Sequence, residues 1–217
     1  MIKLKDILLE AKSPSIFVPR RMEDRLDRML KDYIRNGIKG NLDLSYMNLT
    51  ELPEILKNVS VDRDFNCSHN NLTSLKNAPS SVGRNFNCSH NNLTSLVGAP
   101  SSVGESFYCG RNKLTSLEGA PSSVGRNFWC NYNDLTSLEF APSSVNGDFW
   151  CFNNKLTSLE GAPSSIGRDF WCGYNLLTSL EFAPSSVGRD FDCINNSVKF
   201  TEAQVRAVCD VKGKIIV

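Results

Sequence analysis

Three kinds of residue in this chain could do chemistry: thiols, imidazoles, and carboxylates placed beside tryptophans. Seven of the eight cysteines, Cys67, Cys88, Cys109, Cys130, Cys151, Cys172 and Cys193, are 21 residues apart, and Cys209 stands outside the series. Evenly repeated cysteine is a repeat position before it is a bond. Thiols stacked with parallel side-chain vectors suit a disulfide poorly, so they are expected as small core side chains in a reducing compartment. His69 and His90 occupy one column on adjacent repeats with only Asp64 placed to join them, which makes a poor metal site. Cys67 and His69 are expected on opposite sides of the chain and so do not form a nucleophile pair. No metal and no cofactor is expected.

The elements that would carry these residues are repeats of the pattern V-G-x-x-F-x-C-x-x-N-x-L-T-S-L-x-x-A-P-S-S. The Phe column runs Phe65, Phe86, Phe107, Phe128, Phe149, Phe170 and Phe191. Three residues after each Cys comes an Asn, from Asn70 to Asn196, followed by Leu pairs such as Leu135/Leu138 and by Ala-Pro. A degenerate earlier unit, NLDLSYMNLTELP, places Leu42 and Leu44 in the Phe and Cys positions. F-x-C reads as a short extended run whose first and third residues face inward, so successive units stack as parallel strands about 4.8 Å apart. The Asn amide can satisfy the backbone at the bend, Leu-x-x-Leu packs inward, and proline returns the chain. One repeat cannot bury its own apolar face, so the array is stable only as a stack.

With Phe and Cys inside, the residues between and beside them form the concave surface. Aromatics gather on the middle repeats at Tyr108, Trp129, Tyr132, Trp150, Phe152, Trp171 and Tyr174, with Arg111 among them and carboxylates at Asp148, Asp169, Asp190 and Asp192. Stacking of aromatics on adjacent strands would account for part of this, at roughly 0.5–1.5 kcal/mol per pair. The same columns are polar on the outer repeats, however, and an apolar patch rimmed by polar groups is the usual form of a contact site. Arg63, Arg84, Arg126, Arg168 and Arg189 form a further column two residues before Phe, read as a solvated charge ladder alternating with Asp.

These repeats resemble the leucine-rich repeat, L-x-x-L-x-L-x-x-N-x-L, over residues 41–200, with Phe and Cys replacing two of the usual leucines. The short unit ending in LTSL and followed by proline is similar to the bacterial-effector class. That resemblance implies a repeat solenoid with short parallel β-strands on the concave face, an extended, turn-rich convex side and about eight units, between an α-helical N-terminal cap and a small C-terminal cap. The N-terminal cap is expected over residues 13–40, where Met22, Leu26, Met29, Leu30, Tyr33 and Ile34 follow helical spacing. The C-terminal cap is expected over 201–217, as a short helix N-capped at Thr201 and then a strand-like KIIV, with Val198 in the Leu column.

The opening MIKLKDILLE followed by Ala11 resembles the N-terminal peptides of tailed-phage head proteins, and later stretches resemble leucine-rich proteins of T4-like phages. In that family a prohead protease cleaves after Glu in a Leu-x-Glu context, which implies a head-targeting peptide over residues 1–12 processed between Glu10 and Ala11. A short helix over residues 3–10 on the cap is the alternative reading.

Net charge is +1, split into +4 over residues 1–40 and −3 over the remainder, so no global field points to nucleic acid or membrane. Apolar runs are far shorter than the roughly 18–20 residues that span a bilayer. After the repeats too little chain remains for a catalytic domain such as a ubiquitin ligase, so no enzymatic activity is expected. The expected function is a monomeric protein-binding module of phage origin in the host cytoplasm, with packaging in the virion interior as a corollary. Carbohydrate binding is the alternative, because tryptophans beside aspartates suit sugar faces and hydroxyls.

Overall fold

The computed structural model of the chain describes residues 20–37 and 39–217. The proposed processing site at Glu10 and Ala11 therefore lies outside the described residues, as do the side chains of Met22 and Ile34. Helix α1, Arg20–Arg35, buries Leu26, Leu30 and Tyr33, with Met29 partly buried, and these join the same apolar core as Leu42 and Leu44 of the first repeat. Apolar residues three and four apart lie on one helical face, which is why this sequence can close an open end of the stack.

Each repeat is a flattened turn of coil that contributes one two-residue strand to a nine-stranded parallel sheet. The strands run from Leu42–Asp43 through Phe65–Asn66 and its successors to Phe191–Asp192, then Ile215–Ile216. Register is strict: Phe pairs with Phe, and Trp129, Trp150 and Trp171 pair with one another. All seven Phe side chains are fully buried, with successive ring centroids 5.0–6.0 Å apart. Each such ring or Leu removed from water contributes about 1.5–3 kcal/mol, and neighbours on both sides are needed to remove it.

On the far side of the coil the Ser-Val pairs form a second ladder, interrupted between Ser123–Val124 and Ser144–Val145, so that two four-stranded sheets result. The cause is local. On most rungs a glycine follows the strand and donates its N–H to the carbonyl of the preceding rung, as Gly125 does to Val103 O. In Val145-Asn146-Gly147 that place is taken by Asn146, while Gly147 keeps the regular bond of the next place, donating to Arg126 O at 2.8 Å as Arg126 does to Glu105 O. A Cβ on Gly125 or Gly167 would fall 2.1 Å from the carbonyl oxygen of the preceding rung, so Asn146 at the equivalent place cannot approach as closely as glycine does.

At the C-terminus Val198 is 40% exposed and does not fill the Leu column; Phe200, 3% exposed, closes the core instead. Helix α2, Glu202–Val208, begins with a capping box formed by Thr201 and Gln204. The tail then continues both ladders, since Asp210–Val211 pairs with Ser186–Val187 and Ile215–Ile216 with Phe191–Asp192. The end of the chain is thus a ninth rung with a helix in place of the Leu-x-x-Leu segment.

Candidate functional site

Two side-chain ladders hold the concave wall before any surface residue is added. Asn133 is representative of the first. Its Oδ1 accepts the Leu114 N–H at 3.0 Å, and its Nδ2 donates to Cys109 O and Cys130 O at 3.1 and 3.0 Å. Asn70, Asn91, Asn112, Asn154, Asn175 and Asn196 repeat the arrangement. One amide therefore satisfies donors and acceptors of two rungs at a buried bend, where unpaired backbone groups would be costly.

The second ladder changes the reading of three expected site residues. In the column before Phe each side-chain oxygen accepts the backbone N–H of the same position one rung on: Asp148 from Asp169 (3.3 Å), Asp169 from Asp190 (3.1 Å), Asp190 from Lys214 (2.9 Å). Asp64, Asn85, Ser106 and Asn127 do the same on earlier rungs. Asp148 is buried and the other two carboxylates half-buried, with Arg168 at 3.5 Å from Asp148 and Arg189 at 3.7 Å from Asp169. Asp148, Asp169 and Asp190 thus belong to the wall of the coil rather than to a free acidic rim, because Asp, Asn and Ser share the one acceptor oxygen this place requires. Three members of the Arg column thus pair with carboxylates, Arg84 reaching Glu105 at 3.0 Å.

The aromatics do come together. Trp129 and Trp150 are parallel, 3.9 Å between centroids, and Trp150 and Trp171 follow at 4.5 Å, with Tyr108 tilted against Trp129 at 4.6 Å. The faces of Trp150 are covered by its neighbours, leaving ring edges toward the concave side. All three indole N–H groups are buried without a hydrogen-bond partner among the described residues. Asp192 continues the column beyond Trp171; burial raises its carboxyl above the ordinary value, partly countered by the Ile194 N–H it accepts.

A second exposed stripe, the column expected two residues after Cys, runs beside the first. Two residues after Leu44 and after each Cys of the column the backbone is left-handed: Tyr46, His69, His90, Arg111, Tyr132, Asn153, Tyr174 and Asn195 have φ between 52° and 56°. Among these Asn and His are the types enriched there, whereas Arg and Tyr are uncommon because a Cβ crowds the carbonyl in this region. Tyr46 stacks on His69 at 4.3 Å, His69 on His90 at 4.0 Å, and the Arg111 guanidinium lies over the Tyr132 ring at 4.1 Å. The left-handed turn, not strand alternation, is what sends His69 away from the buried Cys67. His90 is held below the ordinary imidazole range by burial, then by His69 and Arg111. The spacing and composition of this column carried the signal, but only as eight variable residues at a fixed place.

Between the stripes the column after Cys is small at Gly110 and Gly173 and large at Phe152. This leaves two hollows: about 460 Å³ beside His90, Arg111 and Trp129, and about 380 Å³ beside Tyr132, Trp171, Tyr174 and Asp192. Phe152 stands between them, its ring edge-on to Tyr132 at 5.3 Å. Tyr108, Arg111, Trp129, Tyr132, Trp150, Phe152, Trp171, Tyr174 and Asp192 are therefore one surface. The thiols are not part of it: all eight are buried and unpaired, and those of Cys88, Cys109 and Cys130 donate to a carbonyl of the next rung at 3.4 Å. Among the described residues no group of three His, Cys, Asp or Glu could hold a metal, and no helix is long and apolar enough to cross a membrane.

No protein-family model and no curated protein matches the chain. Solved structures do. A Shigella effector leucine-rich-repeat domain is 20% identical, with TM-score 0.73 over 99% of this chain and 98% of that one. YopM from Yersinia enterocolitica WA-314 is also 20% identical, with TM-score 0.72 over 97% of this chain, which spans 46% of YopM. YopM from Yersinia pestis is 16% identical, with TM-score 0.51 over 88% of this chain and 64% of that one. The strict parallel register, the Asn ladder and this shared course of the backbone give the chain the fold of a leucine-rich-repeat solenoid, similar to that of the bacterial effector domains.

Proposed function

We propose that the chain is a non-enzymatic module that binds a protein partner through the concave aromatic surface. The observation that carries this is the left-handed column. Asn would satisfy its backbone, yet it holds exposed His, Arg and Tyr side chains beside a tryptophan ladder. Bulky residues kept in a sparsely populated conformation at about 1–3 kcal/mol each point to use rather than to stability. Tyr, Trp and Arg around a recess are also the residue types that anchor protein interfaces. A sugar would need an open indole face, and along the middle of this ladder the faces are taken by neighbouring rings, which disfavours the carbohydrate reading.

The resemblance of the first dozen residues to phage head-targeting peptides extends the proposal: a phage protein packaged in the head, processed after Glu10, and delivered to the host cytoplasm, where it acts as a monomer. Capture from host lysate tests the binding. Wild-type protein retains a defined protein, and the W129N/W150N/W171N variant, which rewrites three rungs as the polar rungs of Asn66 and Asn87, loses it. Equal capture by the folded variant contradicts the proposal. N-terminal sequencing of protein from virions tests the extension: a start at Ala11 supports it, and a start at Met1 or absence from virions refutes it.

A further inference from the structure

At the corner between the Leu-x-x-Leu segment and the second strand ladder, one position per repeat again has positive φ: Asn77, Gly98, Gly119, Phe140, Gly161 and Phe182. Glycine serves the turn for a steric reason, since a Cβ on Gly161 would lie 2.5 Å from Glu139 N and 2.6 Å from Leu138 C. Phe140 and Phe182 bring a Cβ and a ring to this place at φ 68° and 63°, and each is 56% exposed. They fill no core and meet no other ring among the described residues. Before each comes a glutamate: Glu118, Glu139, Glu160 and Glu181 are exposed on four consecutive repeats. Their backbone N–H groups are held by Ser116, Ser137, Ser158 and Ser179. Among the described residues no ion pair engages their carboxylates.

We propose that this corner is a second docking surface, separate from the concave one, and that its occupant is a basic amphipathic helix lying along the solenoid axis. The argument is charge and pitch. Four like charges in a row repel, and a cationic partner relieves this. Repeats advance about 4.8 Å and a helix about 5.4 Å per turn, so Lys or Arg recurring once per turn meets a glutamate on each successive repeat. Phe140 and Phe182 are two repeats, about 10 Å, apart over the bare backbone of Gly161. That gap admits one large apolar side chain from the helix, in the manner of helix-in-groove recognition. This surface stands independently of the concave one, and together they would let one chain hold two partners.

The probe is a fluorescein-labelled, 18-residue Ala-based helical peptide with Lys once per turn and one central Leu, titrated against full-length protein by anisotropy. Saturable binding is expected, weakened at least tenfold in F140G/F182G and in E139Q/E160Q and unchanged in W129N/W150N/W171N. The double glycine variant keeps its fold because alternate repeats already carry glycine there, and its Tm is expected unchanged or higher. No saturable binding, binding undiminished in F140G/F182G, or equal binding of a Glu-for-Lys peptide overturns the proposal. So does a Phe140-dependent dimer by sedimentation without peptide binding, which would make a second copy the occupant.

Discussion

Trp129 and Trp150 lie face to face, 3.9 Å between ring centroids and 7° from parallel, with their N–H groups buried and unpartnered. Stacking stabilises and the orphaned donors oppose it, by about 0.5–1.5 kcal/mol per ring pair and about 1–3 kcal/mol per donor. Trp150→Phe, which keeps a ring and removes a donor, is therefore expected to leave stability unchanged or raise it. Trp150→Ser removes the same donor and both ring pairs, and is expected to be less stable than the Phe variant by about 1–3 kcal/mol. Urea unfolding separates them; a Phe variant as weak as the Ser variant would show that the indole itself stabilises the sheet.

Asn133 joins three backbone groups of two rungs. Asn133→Ala leaves the Leu114 N–H and two carbonyls without their partner at a buried bend. At about 1–3 kcal/mol per buried unsatisfied group, a loss of at least about 3 kcal/mol is expected, seen as a lower urea midpoint. A loss below about 1 kcal/mol would mean that water replaces the amide there.

What was legible in the sequence is what every rung must supply. Phe, Cys, Asn and Leu recur because each solves one problem of the coil, so strand position, inward columns and the outward tryptophans could be read directly. The left-handed turn of the column two residues after Cys was not legible, because Arg111, Tyr132 and Tyr174 are poor indicators of positive φ and the usual marker, glycine, is absent. The capping role of Asp148, Asp169 and Asp190 was not legible, because a backbone-capping oxygen and a free carboxylate look alike in sequence. The break in the second ladder turned on the order of Asn146 and Gly147, and Val198 on competition with Phe200 for the last core place.

Burial pushes every resolved thiol up, Cys193 to about 12 and Cys209 to about 11, with the deeply buried Cys109 and Cys151 also raised well above the ordinary value. The thiolate is the reactive form. Native protein at pH 8 is therefore expected to react negligibly with a thiol reagent such as DTNB, and urea is expected to release all eight cysteines. Rapid modification of one thiol in the native state would place a functional cysteine in the chain.

His90, lowered by burial and by His69 and Arg111, favours its neutral form in the fold. Between its folded pKa and the unfolded value of about 6.5, the unfolded chain binds more protons, so stability rises with pH across that window and falls as pH drops through it. Stability measured from pH 7 to 5 is expected to decline in wild type and to decline less in His90→Asn. Identical profiles would remove His90 as the cause.

Site-specific photo-crosslinking in host cells tests the concave surface most directly, with p-benzoylphenylalanine in place of Tyr132 or Tyr174, both exposed on the left-handed column, or of Ser81 or Ser102 on the second ladder. The proposed function predicts a discrete protein adduct from positions 132 and 174 and none from 81 and 102. Adducts from the second ladder alone, or from all four positions alike, would contradict it.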